Sequence, residues 1–133
     1  MKNLKELLDQ VGSTAEFNFS EIVDVNAHSG FGDTPLHVVC RWGDVKAVET
    51  LIAAGADVNA IGETQRTPLF AAVLGEVAKI VEILLRAGAD PLAKDQNGRF
   101  ALEVAELLQD SSIPDSAEII AVLRAATCSA SGS

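Results

Sequence analysis

Apolar and polar positions from Thr34 to Ala60 divide into two short helical runs separated by a single glycine. Thr34 offers an oxygen suited to capping a helix N-terminus. Pro35 follows at the first helical position, where its missing N–H costs nothing and its φ is preset for helix. The apolar run that contains Cys40 ends near Gly43, which lets the chain reverse. Val48, Leu51 and Ile52 then recur at i, i+3 and i+4, the apolar stripe of a second helix. Gly55 is placed to end that helix in a left-handed conformation, and Asp57–Ala60 forms a loop. The stretch predicts a helix, a turn, a second helix and a loop.

The rest of the chain repeats that plan. Asp24-Val25-Asn26-Ala27 returns 33 residues later as Asp57-Val58-Asn59-Ala60, and after another 33, weakened, as Asp90-Pro91-Leu92-Ala93. Thr34-Pro35-Leu36 and Thr67-Pro68-Leu69 keep the same spacing, as do Gly55-Ala56-Asp57 and Gly88-Ala89-Asp90. Upstream, Leu4, Leu7, Leu8 and Val11 mark one helical face that Gly12 stops. Ser13 and Glu16 then have capping-box spacing for a further short helix, followed by Phe17, Phe19 and Ile22. In the second complete unit Gly75 stands one position earlier than Gly43, and Phe70 replaces His37. In the third, Phe100-Ala101-Leu102 stands where Thr-Pro-Leu is expected. The outer pair Ile80-Val81 reappears at Ile119-Ile120, six residues late. Leu107 and Leu108 then extend the first helix of that unit, and Asp110–Pro114 reads as a turn-forming loop.

The 33-residue period and the tetrapeptide Thr34-Pro35-Leu36-His37 resemble the ankyrin repeat. The resemblance implies an all-α solenoid of stacked helix-turn-helix units with β-hairpin finger loops along one edge. It divides residues 1–127 as a single domain: an N-terminal cap over 1–27, repeats over 28–60 and 61–93, and a C-terminal cap over 94–127 that carries the six-residue insertion. Residues 128–133 are read as a disordered tail. The resemblance also implies that His37 bridges backbone groups of adjacent repeats and has no catalytic role. Two full repeats between two caps is a short array, because each hairpin buries its apolar face only against its neighbours.

Composition narrows the function. A hydrophobic content of 48% with only 5% aromatic predicts a core of Ala, Val, Ile and Leu, too apolar for a disordered chain. The net charge is −9, with the excess acid before Thr34 and after Arg99 and a nearly balanced stretch between. An acidic chain without a Lys/Arg cluster argues against nucleic acid as partner. Cys40 and Cys128 have no metal-ligand spacing, and Cys40 reads as a small buried hydrophobe. No run is long enough for a membrane span, and no signal peptide is recognised at the N-terminus. The expected setting is cytoplasmic. His28 lies in the loop AHSGFGD with no ligand partner at useful spacing, and nucleophile-elbow, zinc-protease and phosphate-loop patterns are absent. The chain is therefore read as non-enzymatic, with no cofactor and no metal.

Function then falls to a surface. The resemblance places partner contacts on the fingers and on the exposed side of each first helix. The matching positions here are Phe31, Asp33, Arg41, Trp42 and Ile61 around the first unit, Glu63, Thr64, Arg66 and Leu74 in the second, and Gln96 and Arg99 in the third. Asp33, Arg66 and Arg99 share one repeat position, so a charged column along the fingers is expected. Trp and Arg are the residue types enriched at binding hot spots. The sequence reading is a protein-binding module for one folded partner, a monomer on its own, with a small stand-alone inhibitor or immunity protein as its sharper form. The alternative is an adaptor or structural subunit of a larger complex.

Overall fold

The computed structural model describes Asn26, residues 33–108 and residues 115–131. The expected N-terminal cap, with His28, Phe31 and most of the inserted segment, lies outside the described residues. Six α-helices are found among them: α1 (Pro35–Trp42), α2 (Val45–Ala53), α3 (Pro68–Gly75), α4 (Ala78–Arg86), α5 (Ala101–Leu107) and α6 (Ser116–Ser131). Each odd-numbered helix pairs with the next to make a hairpin. The hairpins stack so that α1, α3 and α5 form one layer and α2, α4 and α6 the other. The core runs continuously through the stack, with Leu36, Leu51, Leu69, Ile80, Leu84 and Leu123 among its fully buried side chains. In α3 every residue from Pro68 to Val73 is buried, whereas α2 and α4 bury one stripe. A helix wrapped on several sides is apolar all round, and a helix facing water is amphipathic.

The loops after the outer helices are joined by a ladder of asparagines. Asn26 accepts from the Asp57 N–H at 2.8 Å and donates to the Gly55 carbonyl at 3.3 Å. Asn59 does the same one unit on, to Asp90 N–H at 2.8 Å and Gly88 carbonyl at 3.1 Å. The second and third loops also turn on their own aspartates, with Asn59 N–H on the Asp57 carboxylate and Leu92 N–H on Asp90, both at 2.9 Å. The third loop carries Leu92 where the amide would be, so the ladder stops there. Asn59→Ala is expected to cost about 1 kcal/mol, since it removes two solvent-exposed hydrogen bonds, and a urea midpoint would measure it.

Four sequence expectations are revised. The finger loops contain no strand among the described residues. The two described fingers each hold two backbone bonds. One has Gly62 N–H to the Arg66 carbonyl at 2.8 Å with Gln65 N–H to the Gly62 carbonyl at 3.1 Å. The other has Asp95 N–H to the Arg99 carbonyl with Gly98 N–H to the Asp95 carbonyl, both at 3.0 Å. Gln96 N–H joins the two fingers through the Thr64 carbonyl at 2.8 Å. Both bonds of each finger lie within one tight turn of five residues, too short to build a ladder. The expected irregular tail is also corrected, because α6 continues past Cys128 to Ser131.

Gly75, third, is not the turn glycine. The left-handed position after α3 is Glu76 (φ 61°), one period after Gly43 (φ 73°), and Gly75 is the last helical residue. A Cβ on Gly75 would strike the Cys40 carbonyl oxygen and lie 3.1 Å from that of Arg41, so the glycine is required for α3 to approach the end of α1. The last revision is at Leu108, which caps α5 instead of extending it.

Helix capping also passes between units. Asp44 caps α2 through Ala47 N–H at 3.1 Å, but its counterpart at α4 is Val77, which has no oxygen to offer. Asp115, at the start of α6, supplies the carboxylate instead and accepts from Ala78 N–H at 2.9 Å.

Candidate functional site

The first interface between units is tied by His37. Its Nδ1 accepts from the Thr34 N–H at 3.1 Å, which places the ring proton on Nε2, and Nε2 donates to the Arg66 carbonyl at 2.9 Å. The Thr34 hydroxyl lies 2.9 Å from the same Nδ1. Both ring nitrogens are therefore occupied in holding one unit to the next, and His37 is only 2% exposed. Phe70 occupies the equivalent place in the second unit and has no such nitrogens. The hydroxyl of Thr67, the counterpart of Thr34, is consequently buried without a hydrogen-bond partner.

Beside His37 a concave cavity of about 220 Å³ opens between α1, α3 and the turn at Thr64–Arg66. Its lining includes five of the residues expected from sequence, Asp33, Arg41, Thr64, Arg66 and Leu74, together with His37, Thr67 and Ala71. Thr67, Ala71 and Leu74 share one face of α3 at i, i+4 and i+7, and His37 and Arg41 share one face of α1 at i, i+4. Gly62 lets the linking chain pass close over this end of the site. A Cβ there would strike the Asp33 carboxylate and lie 2.7 Å from His37 Nε2. Thr64 (φ 57°) and Gln65 (φ 60°) are both left-handed, a conformation costly for a β-branched threonine. In the next finger the counterpart of Gln65 is Gly98, at φ 74°.

The charged column expected along the fingers is not a row of exposed groups. Asp33 is 4% exposed and accepts from Arg41 Nη2 at 2.8 Å, within its own unit. Arg66 is half-buried, with its Nε 3.6 Å from the Asp95 carboxylate and its guanidinium 6.0 Å from the centre of the Phe70 ring. Arg99 is exposed and lines a separate, shallower groove with Glu103, Glu106 and Leu107. Ile61 and Gln96 are exposed away from the cavity lining, and Glu63 contributes its backbone to the turn before Thr64.

Asp95 is the most heavily engaged carboxylate of the second finger. Burial pushes it up, but the N–H groups of Arg99 (3.0 Å) and Asn97 (2.9 Å) and the guanidinium of Arg66 outweigh that and hold it below the usual carboxylate range. A depressed folded value stabilises the fold above the unfolded value near about 4, and that contribution is lost as pH falls through the folded value. Asp95→Asn is therefore expected to lower the urea midpoint at neutral pH, and the gap to wild type should close as pH falls below about 4. A gap that does not change with pH would contradict this account.

A family model described as ankyrin repeats, in three copies, matches residues 3–95. The chain belongs to the ankyrin-repeat family. The helix pairs, the histidine bridge and the asparagine ladder are how these repeats are held together here. None of the curated proteins compared with the chain matches it. Ankyrin repeats are in general protein–protein interaction modules. Among the described residues no group of three or more His, Cys, Asp or Glu side chains could hold a metal ion. No helix among them is long and apolar enough to cross a membrane. Burial pushes the Cys40 thiol well above the ordinary thiol range, which suits an inert core side chain.

Four apolar side chains at the ends of the inner helices stand out by exposure. Trp42 ends α1 with 42% of its surface exposed, Leu74 stands at the end of α3 with 39%, and Leu107 and Leu108 end α5 with 65% and 48%. They fall on two adjacent repeat positions at the ends of three successive inner helices, Trp42 with Leu108 at one and Leu74 with Leu107 at the other, so they mark a staggered row of apolar groups across the stack. Sequence reasoning named Trp42 and Leu74 for this surface. It missed Thr67, Ala71 and Gly62, whose roles depend on which unit is packed against them.

Proposed function

We propose that this ankyrin-repeat chain is a non-enzymatic binding module that holds one folded protein partner across the ends of its inner helices and its finger turns. The observation that carries the reading is the exposed row Trp42, Leu74, Leu107 and Leu108, flanked by Arg41, Arg66 and Arg99. Large apolar side chains bordered by arginines, set on a rigid stack, supply the aromatic and guanidinium anchors that dominate protein interfaces. In this reading the chain works as a cytoplasmic monomer. Its acidic ends favour encounter with a basic target, as a small stand-alone inhibitor would need. A permanent-subunit role draws on Leu107 and Leu108 as an extra contact, and solubility of the isolated chain as a stable monomer would count against it.

Affinity capture from the source cells, followed by calorimetry with the recovered protein, tests the reading. Trp42→Ala should weaken binding by more than about 1 kcal/mol while leaving the thermal midpoint in place, since the ring is largely exposed. Equal affinity of wild type and Trp42→Ala would overturn the proposed surface.

A further inference from the structure

The cavity between the first two described units has three properties that together specify an occupant. Its size, about 220 Å³, is below that of pockets for whole small-molecule ligands and suits one side chain. Its charge is unevenly matched. Asp33 is bound to Arg41 at 2.8 Å, whereas Arg66 Nε and Asp95 Oδ2 stand 3.6 Å apart and are both buried without a hydrogen bond among the described residues. At its floor, Thr67 is 2% exposed and its hydroxyl has no partner. A guanidinium paired only loosely with Asp95 and an unmet hydroxyl leave donors for a closer acceptor. Ala71 and Leu74 form an apolar wall beside them.

We propose that this cavity receives one glutamate side chain of the protein partner, an inference that rests on the partner-binding reading above. The two methylenes lie along Ala71 and Leu74, and the carboxylate takes the Arg66 guanidinium and the Thr67 hydroxyl. Charge-assisted bonds from an arginine fork to a carboxylate are stronger than those to a neutral amide, which makes glutamate the fit and glutamine the discriminating control. The strained Thr64 turn and the unsatisfied Thr67 hydroxyl are costs the free chain carries at this one place, as functional sites commonly do.

The test is a backbone-amide NMR titration of the full chain with N-acetyl-L-glutamate α-amide and, separately, N-acetyl-L-glutamine α-amide. The expected result is saturable shifts at Thr64, Arg66, Thr67 and Ala71 with the glutamate probe, and at least about tenfold weaker binding of the glutamine probe. Arg66→Lys, which keeps the charge and loses the fork, and Thr67→Val should each weaken the glutamate probe by about tenfold or more. Thr67→Val should also leave the thermal midpoint unchanged or raised, because it removes an unsatisfied buried hydroxyl. No saturable shift, equal affinity for the two probes, or shifts centred on Arg99 and Leu107 would overturn the proposal. The two readings fail separately. A partner lost on Trp42→Ala but insensitive to Arg66→Lys and Thr67→Val removes only the glutamate site. A chain that binds the glutamate probe yet captures no protein supports the carboxylate site and removes the partner.

Discussion

Leu84→Ala is expected to lower stability by about 2–5 kcal/mol, the range for removing a buried leucine from a packed core. Leu84 is fully buried on α4, the one outer helix that contacts α2, α3 and α6. A cavity there loosens three helices at once. Its repeat counterpart Leu51, also fully buried, is expected to fall in the same range. Because a domain has only about 5–15 kcal/mol in total, either change could unfold so short an array. A shift in urea midpoint with an unchanged slope would measure the loss. Midpoints unaffected by either substitution would contradict the stacked core.

The second large effect is at the end of α3. Gly75→Ala would ordinarily strengthen a helix by up to about 1 kcal/mol. Here the added methyl meets the backbone oxygens of Cys40 and Arg41, which cannot turn aside as a side chain would. The expected net result is a loss of about 1–3 kcal/mol, as α3 is pushed away from α1. The neighbouring change should have the opposite sign. Glu76 is held at φ 61°, so Glu76→Gly should gain about 0.5–1 kcal/mol. Thermal unfolding of the two variants side by side would test the assignment. A stabilising Gly75→Ala would show that the close approach of the two helices is wrong.

The displaced glycine shows where reading the chain in one dimension fell short. The sequence places a glycine one residue before its expected turn, and the natural inference is a shifted turn. In the structure the turn keeps the 33-residue period, and a glutamate takes the left-handed conformation that glycine would have taken. The glycine answers to a different demand, the backbone of the preceding unit. The finger charges teach the same lesson. Asp33, Arg66 and Arg99 share a repeat position, but Asp33 is turned into its own unit by Arg41 and Arg66 is drawn towards Asp95. Repeat position sets where a Cα lies, and the neighbouring side chains set where the charge points.

The fold was more legible than the site. Thr34, Pro35, His37 and Gly43 have local tasks that a short stretch of chain dictates: a cap, a preset φ, a ring within reach of its own turn, and a left-handed reversal. Their recurrence at a fixed period implies stacking, since no single hairpin can bury its apolar face alone. The aromatic and apolar row at Trp42 and Leu74 was partly visible for the same reason. Asn59 was visible as a repeated letter but not as an inter-unit clamp, because its partners at Gly88 and Asp90 belong to the following unit.

By itself, then, the sequence determined the ankyrin repeat, its period, its helix pairs and the residue types available to a binding surface, all of them consequences of local propensity and periodicity. Tertiary structure alone decided that Asp115 caps a helix of another unit, that Gly75 and Gly62 are glycines of close approach, and that Gln96 ties its finger to the Thr64 carbonyl of the one before. Those features arise where two units meet, between residues far apart in the chain, and no local pattern encodes the distance across that interface.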